Sequence, residues 1–109
     1  MKRYINTYNC IEGFHLYPNA PISCDYLSNK HRHMFIIRCD FEVEHNERQI
    51  EINTMQNDIE LALWNEFNAP CEFGDMSCES IAEWLLKRYD NMCKVQVLED
   101  GYGGATLTR

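Results

Sequence analysis

Two histidines separated by one residue, in the stretch HRHMF at residues 31 to 35, carry the clearest chemical signal in the sequence. They lie at the start of a segment with a strand pattern, and side chains two positions apart on a strand point to the same face. His31 and His33 therefore present two imidazoles side by side. Such a pair can bind a metal ion, bind an anion when protonated, or lie at a solvated strand end.

Six cysteines are the second group of reactive side chains, and they are Cys10, Cys24, Cys39, Cys71, Cys78 and Cys93. None forms a C-x-x-C pair, so the spacing does not predict a zinc ribbon. The opening residues MKRYINTYNC are basic but are not followed by an apolar stretch, so no signal peptide is expected. We therefore expect a cytoplasmic protein with reduced thiols, most of them small buried apolar side chains.

Length and composition limit the classes of protein. The 109 residues are expected to form one domain, residues 1–109, with 45% hydrophobic and 25% charged residues, as in ordinary globular proteins. No apolar run approaches the roughly 18 residues of a membrane span. The formal net charge of −7 argues against a nucleic-acid surface, which needs clustered basic side chains. Neither a membrane nor a nucleic acid is an expected partner.

The elements that would position the histidines are strands. Residues 3 to 17 are rich in aromatic and β-branched residues and predict an irregular strand, in which Gly13 marks a bulge or a close backbone approach. Residues 18 to 30 contain two prolines and predict a loop. Residues 31 to 44 alternate apolar and polar side chains and predict the longest strand. After the turn HNER, the stretch RQIEIN is a candidate short strand.

The hydrophobic period then changes from two to about four. A first helix is predicted by apolar residues at 55, 59, 63 and 67, with Asn53 or Thr54 as its N-cap. Ser77 caps a second helix, and CKVQVLED and ATLTR predict two final strands. The order ββ-αα-ββ indicates an α+β fold, in which two helices cover one face of a four-stranded antiparallel sheet. The other face and the sheet edges are left for a partner, so we expect a homo-oligomer.

This order and several stretches resemble the 6-pyruvoyl-tetrahydropterin synthase and 6-carboxytetrahydropterin synthase family, which has the tunnelling fold. The matching stretches are FH at 14 to 15, HRHMF at 31 to 35, SCESIAEWL at 77 to 85 and VQVLEDGYGGATL at 95 to 107. HRHMF resembles the family's H-G-H-N-Y, which carries two zinc ligands. The resemblance implies a barrel assembled from several subunits, a hexamer or a tetramer, with ligand pockets between them.

The resemblance also implies a cofactor and a ligand. It implies Zn²⁺ held by His15, His31 and His33, and three imidazoles would leave a fourth position open, as in catalytic zinc sites. It implies that Glu99, at the end of the V-x-V-x-E strand, binds two N–H groups of a pterin or purine-like ring. Asp100 beside it fits an exposed strand-end acid better. Phe14 is a candidate for stacking on the ring.

The sequence departs from the family at the proton-transfer residues. The family's reactive cysteine falls at Leu27, and the nearest thiol is Cys24, a hypothetical proton donor. The family's Leu-Asp-His segment corresponds to NEFNAPCEFGDMSCES, which has no histidine and only one aspartate, Asp75. The remaining histidine, His45, lies at the far end of the long strand, from where only a neighbouring subunit could supply it.

Three classes of function stay open. The first is a zinc-dependent lyase that acts on a dihydroneopterin triphosphate-like substrate. The second is a binding module that keeps a pterin- or nucleotide-shaped pocket and has lost the acid–base residues. The third, a purely structural subunit, needs neither the histidines nor Glu99. A phosphate pocket is not evident in the sequence, because the basic residues near the histidines also fit solvated surface charge; they are Lys30, Arg32, Arg38 and Arg48.

Overall fold

Two 13-residue strands form the centre of the sheet. The computed structural model describes residues 1 to 109, and its elements in chain order are β1 (Arg3–His15), a 3-10 segment (Ile22–Ser28), β2 (His31–Val43), α1 (Ile52–Phe67), β3 (Cys71–Gly74), α2 (Cys78–Arg88), β4 (Met92–Glu99) and β5 (Gly103–Thr108). β1 and β2 pair antiparallel along their whole length, from Arg3 opposite Val43 to His15 opposite His31. This register brings the end of β1 to the start of β2.

The sheet has five strands in the order β3-β1-β2-β4-β5, so the predicted four-stranded antiparallel sheet is wrong in one strand. β3, between the helices, pairs parallel to β1 and makes the sheet mixed. Its buried residues Cys71 and Phe73 alternate with exposed neighbours, as in a strand. The pattern is too short to recognise in the sequence, because Pro70 and Gly74 on either side indicate a loop. The loop before β2 also differs from the prediction, because it contains the 3-10 segment.

The predicted strand at RQIEIN is also wrong, because α1 begins there. The N-cap of α1 is Glu51 and not Asn53 or Thr54. The Glu51 carboxylate accepts hydrogen bonds from the main-chain N–H groups of Asn53, at 2.9 Å, and Thr54, at 3.0 Å. The predicted cap of α2 is confirmed, since the Ser77 hydroxyl accepts from the N–H of Ser80 at 3.1 Å.

Both helices cover the same face of the sheet, as predicted. The apolar positions spaced by four in α1 and α2 supply fully buried side chains, among them Ile59, Leu63, Ile81 and Leu85. They join the odd-numbered apolar residues of β2 and β4 in one core. On the other face Tyr4 and Tyr8 are about half exposed. Neither α1 nor α2 has the length and apolarity needed to cross a membrane.

Gly13 lies where β1 begins to pair with β3, opposite Cys71. A Cβ atom at this position would lie 2.7 Å from Cε2 of Phe73, a distance that side chains do not tolerate. The pairing of β1 with β3 shifts register directly afterwards, between Phe14 and His15. The crowding at Gly13 therefore comes from the side chains of Phe73 and Phe35 and not from a neighbouring backbone, and the register shift lies just after it, at His15, the last residue of β1.

Candidate metal centre

The three histidines come together where β1 ends and β2 begins. His15 pairs with His31 across the two strands, and His33 follows on the same face of β2. Their ring centroids are 4.6 to 5.2 Å apart, and one ring nitrogen of each lies within 4.8 Å of the other two. His15 is buried, and the other two rings are partly buried. The cluster can hold a metal ion.

Hydrogen bonds define the tautomer of all three imidazoles. Each Nδ1 atom lies against an oxygen that can only accept: the carbonyl of Met76 for His15 at 2.9 Å, the carbonyl of Asn29 for His31 at 2.8 Å, and Oδ2 of Asp100 for His33 at 2.7 Å. Nδ1 must therefore carry the proton, and in a neutral ring Nε2 keeps its lone pair. Histidine ligands of metals are oriented in this way.

Two of these Nε2 atoms, those of His15 and His33, are buried and have no hydrogen-bond partner. The nearest polar atom is Oε2 of Glu99, 3.0 Å from Nε2 of His15 and 3.6 Å from that of His33. A carboxylate oxygen facing two ring nitrogens needs a positive charge between them, either a metal ion or a proton on one of the nitrogens. Two ligands of one tetrahedral zinc are separated by about 3.3 Å, since each bond is about 2.0–2.1 Å. The donor set therefore fits a metal ion.

A cavity of about 700 Å³ opens beside the histidines. It is bounded by the residues that follow β1, by the start of α2 and by the end of β4, and its lining includes His15, His31 and Glu99. Its size is within the range of small-molecule sites. The cavity therefore joins the histidine cluster to space that a small organic ligand can fill.

The residues predicted to act on the ligand are only partly brought together. Asp75 and Glu99 line the cavity, whereas Cys24 lies in the 3-10 segment and is not part of the lining. Phe14 precedes His15 and points to the opposite face of the sheet, where Nζ of Lys30 lies 5.0 Å from its ring centroid. His45 is exposed beyond the other end of β2, about 40 Å from His33.

Basic side chains do not line the cavity. Lys30 pairs with Glu72 at 2.9 Å, and Arg32 pairs with Glu12 at 2.5 Å. Arg38 lies over the ring of Tyr8, on the face away from the helices. A cationic pocket for a triphosphate is therefore not formed within one chain.

Sequence reasoning missed the role of Cys78. Cys78 is the first residue of α2, is 7% exposed and lines the cavity. Burial, followed by the charges of Glu99 and Glu79, raises the pKa of this thiol to about 12. It is therefore a protonated group that can donate a hydrogen bond to Glu99. The stretch S-C-E at a helix start was the available signal.

Asp100, expected to be an idle strand-end acid, instead holds His33. The hydrogen bond from His33, and after it that from the N–H of Met34, keeps the pKa of the Asp100 carboxyl below its usual range. Asp100 is exposed and has a left-handed backbone with φ of 55°. No pattern in the sequence marks this contact, because it depends on how the turn after β4 meets β2.

The comparisons with known proteins support the fold. No protein-family model matches the chain, and no curated protein is similar to it in sequence. Among solved structures, it is similar to 6-pyruvoyl tetrahydropterin synthase of Caenorhabditis elegans, with a TM-score of 0.66 and 12% sequence identity over 100% of this chain and 96% of that chain. At this identity the likeness concerns the fold alone. The chain therefore has the fold of a 6-pyruvoyl tetrahydropterin synthase, as its resemblance to that family predicted.

Proposed function

We propose that this protein is a zinc-dependent pterin lyase of the 6-pyruvoyl-tetrahydropterin or 6-carboxytetrahydropterin synthase type, acting on a dihydroneopterin triphosphate-like substrate. The observation that carries the proposal is the tautomer of the histidine cluster. The three Nδ1 atoms lie against acceptor oxygens, and one ring nitrogen of each histidine lies within 4.8 Å of the other two, beside a cavity of ligand size. The similarity in fold to a solved synthase supports the same class of reaction.

In this proposal His15, His31 and His33 hold the zinc and leave one position for the substrate. Bound zinc would polarise side-chain hydroxyls of the substrate and lower their pKa. The fit of the site rests on the buried Nε2 atoms of His15 and His33, which have no hydrogen-bond partner and face the carboxylate of Glu99. A buried acceptor without a partner costs about 1–3 kcal/mol, and a metal ion removes that cost.

Glu99 is proposed to bind the aminopyrimidine edge of the pterin. Its carboxylate lines the cavity and can accept two parallel N–H groups, a geometry that arginine–carboxylate pairs also use. In the free protein one of its oxygens faces His15 and His33. The Cys78 thiol can donate to the carboxylate and hold it at the cavity wall.

Proton transfer needs acid–base residues in addition to the metal. Asp75 is the proposed partner that lines the cavity, and Cys24 is the proposed proton donor. His45 and Phe14 can contribute only at the site of a neighbouring subunit, since neither faces this chain's own cavity. We therefore also propose a homo-oligomer, in which the unpaired sides of β3 and β5 meet other copies. Sedimentation that finds only monomer at micromolar concentration would contradict it.

A second candidate function is a non-catalytic module that binds a pterin or a purine-like ring. Two observations favour it: the cavity lining includes no basic side chain, and His15 and His31 are its only histidines. In that case the residues that bind the ring would remain, and the groups that move protons or hold a triphosphate would be absent.

A product assay separates the two functions. Purified wild-type protein with its metal content measured is mixed with dihydroneopterin triphosphate, and phosphate release and side-chain products are followed. For the lyase we expect turnover, lowered in Cys24→Ala with ligand affinity unchanged, because a proton donor acts mainly in the transition state. Binding of a dihydropterin in calorimetry without turnover would favour the binding module. Neither binding nor turnover would contradict both.

A further inference from the structure

We infer that Asp100 is a positioning residue of the metal centre, which orients His33 through its carboxylate. The inference rests on the proposed metal site and adds a residue outside the three ligands. Oδ2 of Asp100 accepts the Nδ1 proton of His33 at 2.7 Å. This is the one imidazole of the cluster held by a side chain, since main-chain carbonyls hold His15 and His31.

The carboxylate is itself held rigidly. Its second oxygen, Oδ1, accepts the main-chain N–H of Met34 at 2.9 Å, and the N–H of Asp100 donates to the carbonyl of Met34 at 2.8 Å. Asp100 therefore both accepts a hydrogen bond from Met34, the residue next to His33, and donates one to it. Rotation of the carboxylate would break a bond to the main chain, so the position of Oδ2 follows the backbone of β2.

The hydrogen bond from His33 to the Asp100 carboxylate also affects metal binding more strongly than a hydrogen bond to a main-chain carbonyl does. A hydrogen bond to an ionised carboxylate is about twice as strong as one between neutral groups. A carboxylate on the far nitrogen of a histidine ligand increases the basicity of the nitrogen that binds the metal. His33 should therefore be the strongest donor of the three. Loss of such a partner typically lowers metal affinity by about 10- to 100-fold.

The turn itself does not need the carboxylate. Asp100 and Gly101 have φ of 55° and 80°, and the N–H of Tyr102 donates to the carbonyl of Glu99 at 3.0 Å. Asparagine and glycine both tolerate a left-handed backbone. Two variants therefore keep the turn and differ in what they offer His33. Asp100→Asn keeps one oxygen acceptor and replaces the other oxygen with an NH2 group, so it can no longer accept from both His33 and Met34, and Asp100→Gly removes both acceptors.

The test compares these variants with wild type and with Asp90→Asn, which changes an exposed aspartate in a different turn. Zinc affinity is measured by competition with a chelator, and the imidazole tautomers of the metal-free proteins are measured by ¹⁵N NMR. We expect zinc affinity to fall about 10-fold in Asp100→Asn and up to about 100-fold in Asp100→Gly. In Asp100→Gly only His33 should lose its preference for Nδ1–H. Thermal unfolding of the metal-free proteins checks that each variant is folded, and Asp100→Gly should be slightly less stable because the N–H of Met34 loses its acceptor.

The outcomes distinguish this inference from the proposed function. Equal zinc affinity in wild type and Asp100→Gly, or an unchanged His33 tautomer in that variant, would overturn the positioning role. If wild-type protein binds no zinc while His33 keeps its Nδ1–H tautomer, the metal centre is wrong and the contact stands as a structural one. A parallel loss of affinity in Asp90→Asn would also contradict the inference, because that aspartate is remote from the cluster.

Discussion

Both ends of the paired strands β1 and β2 carry histidine, but the histidines differ in burial and in hydrogen bonding. At one end the rings of His15, His31 and His33 donate Nδ1–H to oxygens. At the other end His45 is exposed, and its Nδ1 atom accepts the N–H of Glu47 at 3.1 Å, so its proton lies on Nε2 in the neutral ring. We call these the histidine end and the turn end. A histidine therefore becomes a candidate metal ligand when its ring is buried and when an oxygen accepts its Nδ1–H, which leaves Nε2 free to bind the metal.

The largest expected effect is the loss of metal at the histidine end. Wild-type protein should bind one zinc per chain, and His31→Ala or His33→Ala should lose most of it, because a site with two imidazoles lacks one of its three protein ligands. His45→Ala at the turn end is the matched control and should keep the metal. Metal content by elemental analysis checks this. Full retention in both ligand variants would contradict the site.

The next largest effect concerns Glu99. Glu99→Ala should lower dihydropterin affinity by about 10- to 100-fold or more, since two ring donors are then left unpaired at a cost of about 1–3 kcal/mol. Glu42→Ala removes an exposed carboxylate of β2 near the turn end and should leave affinity unchanged. Calorimetry measures both. If the two variants bind equally well, Glu99 does not anchor the ring.

The sequence predicts much of the histidine end, because alternation along strands is a local rule. His31 and His33 two positions apart, and Glu99 in step with Val95 and Val97, point to the helix-covered face in the structure as expected. The contact of Asp100 with His33 was not predictable in this way. It depends on the register of β2 against β4, in which Phe35 pairs with Glu99, and on a turn that continues past the strand.

The same reasoning explains the errors elsewhere. β3 is only four residues long, and an alternation of apolar and polar residues this short also occurs by chance in many loops. Glu51 was not recognised as the cap of α1, because carboxylates with a longer side chain are not among the preferred N-cap residues. Local patterns therefore predicted the long elements, whereas short strands, caps and contacts across the sheet required the assembled fold.

A smaller effect, on stability, is expected where β1 enters the histidine end. Gly13→Ala places a methyl group 2.7 Å from a ring carbon of Phe73. Phe73 is 3% exposed and packs against Phe35, so it has little room to move. Overpacking of this kind costs about 1–3 kcal/mol. Urea denaturation should show the loss. Gly103→Ala, where a Cβ would meet no atom within 4 Å, is the control and should unfold at nearly the wild-type midpoint.

The smallest expected effect lies in a carboxylate that serves helix structure alone. Glu51 caps α1 with both oxygens, and the hydrogen bonds from the N–H groups of Asn53 and Thr54 lower its pKa below the ordinary 4.5. Because the folded pKa is the lower one, the stabilisation is fully present above about pH 4.5 and is lost as the pH falls through the folded value. Glu51→Gln should therefore unfold at a slightly lower temperature than wild type at pH 7, and the difference should shrink on acidification. Zinc content and dihydropterin affinity of this variant should match wild type at pH 7. A loss of either would mean that the cap of α1 and the histidine end are coupled. Glu51 would then affect the site, as Glu99 and Asp100 are expected to do, and would not serve helix structure alone.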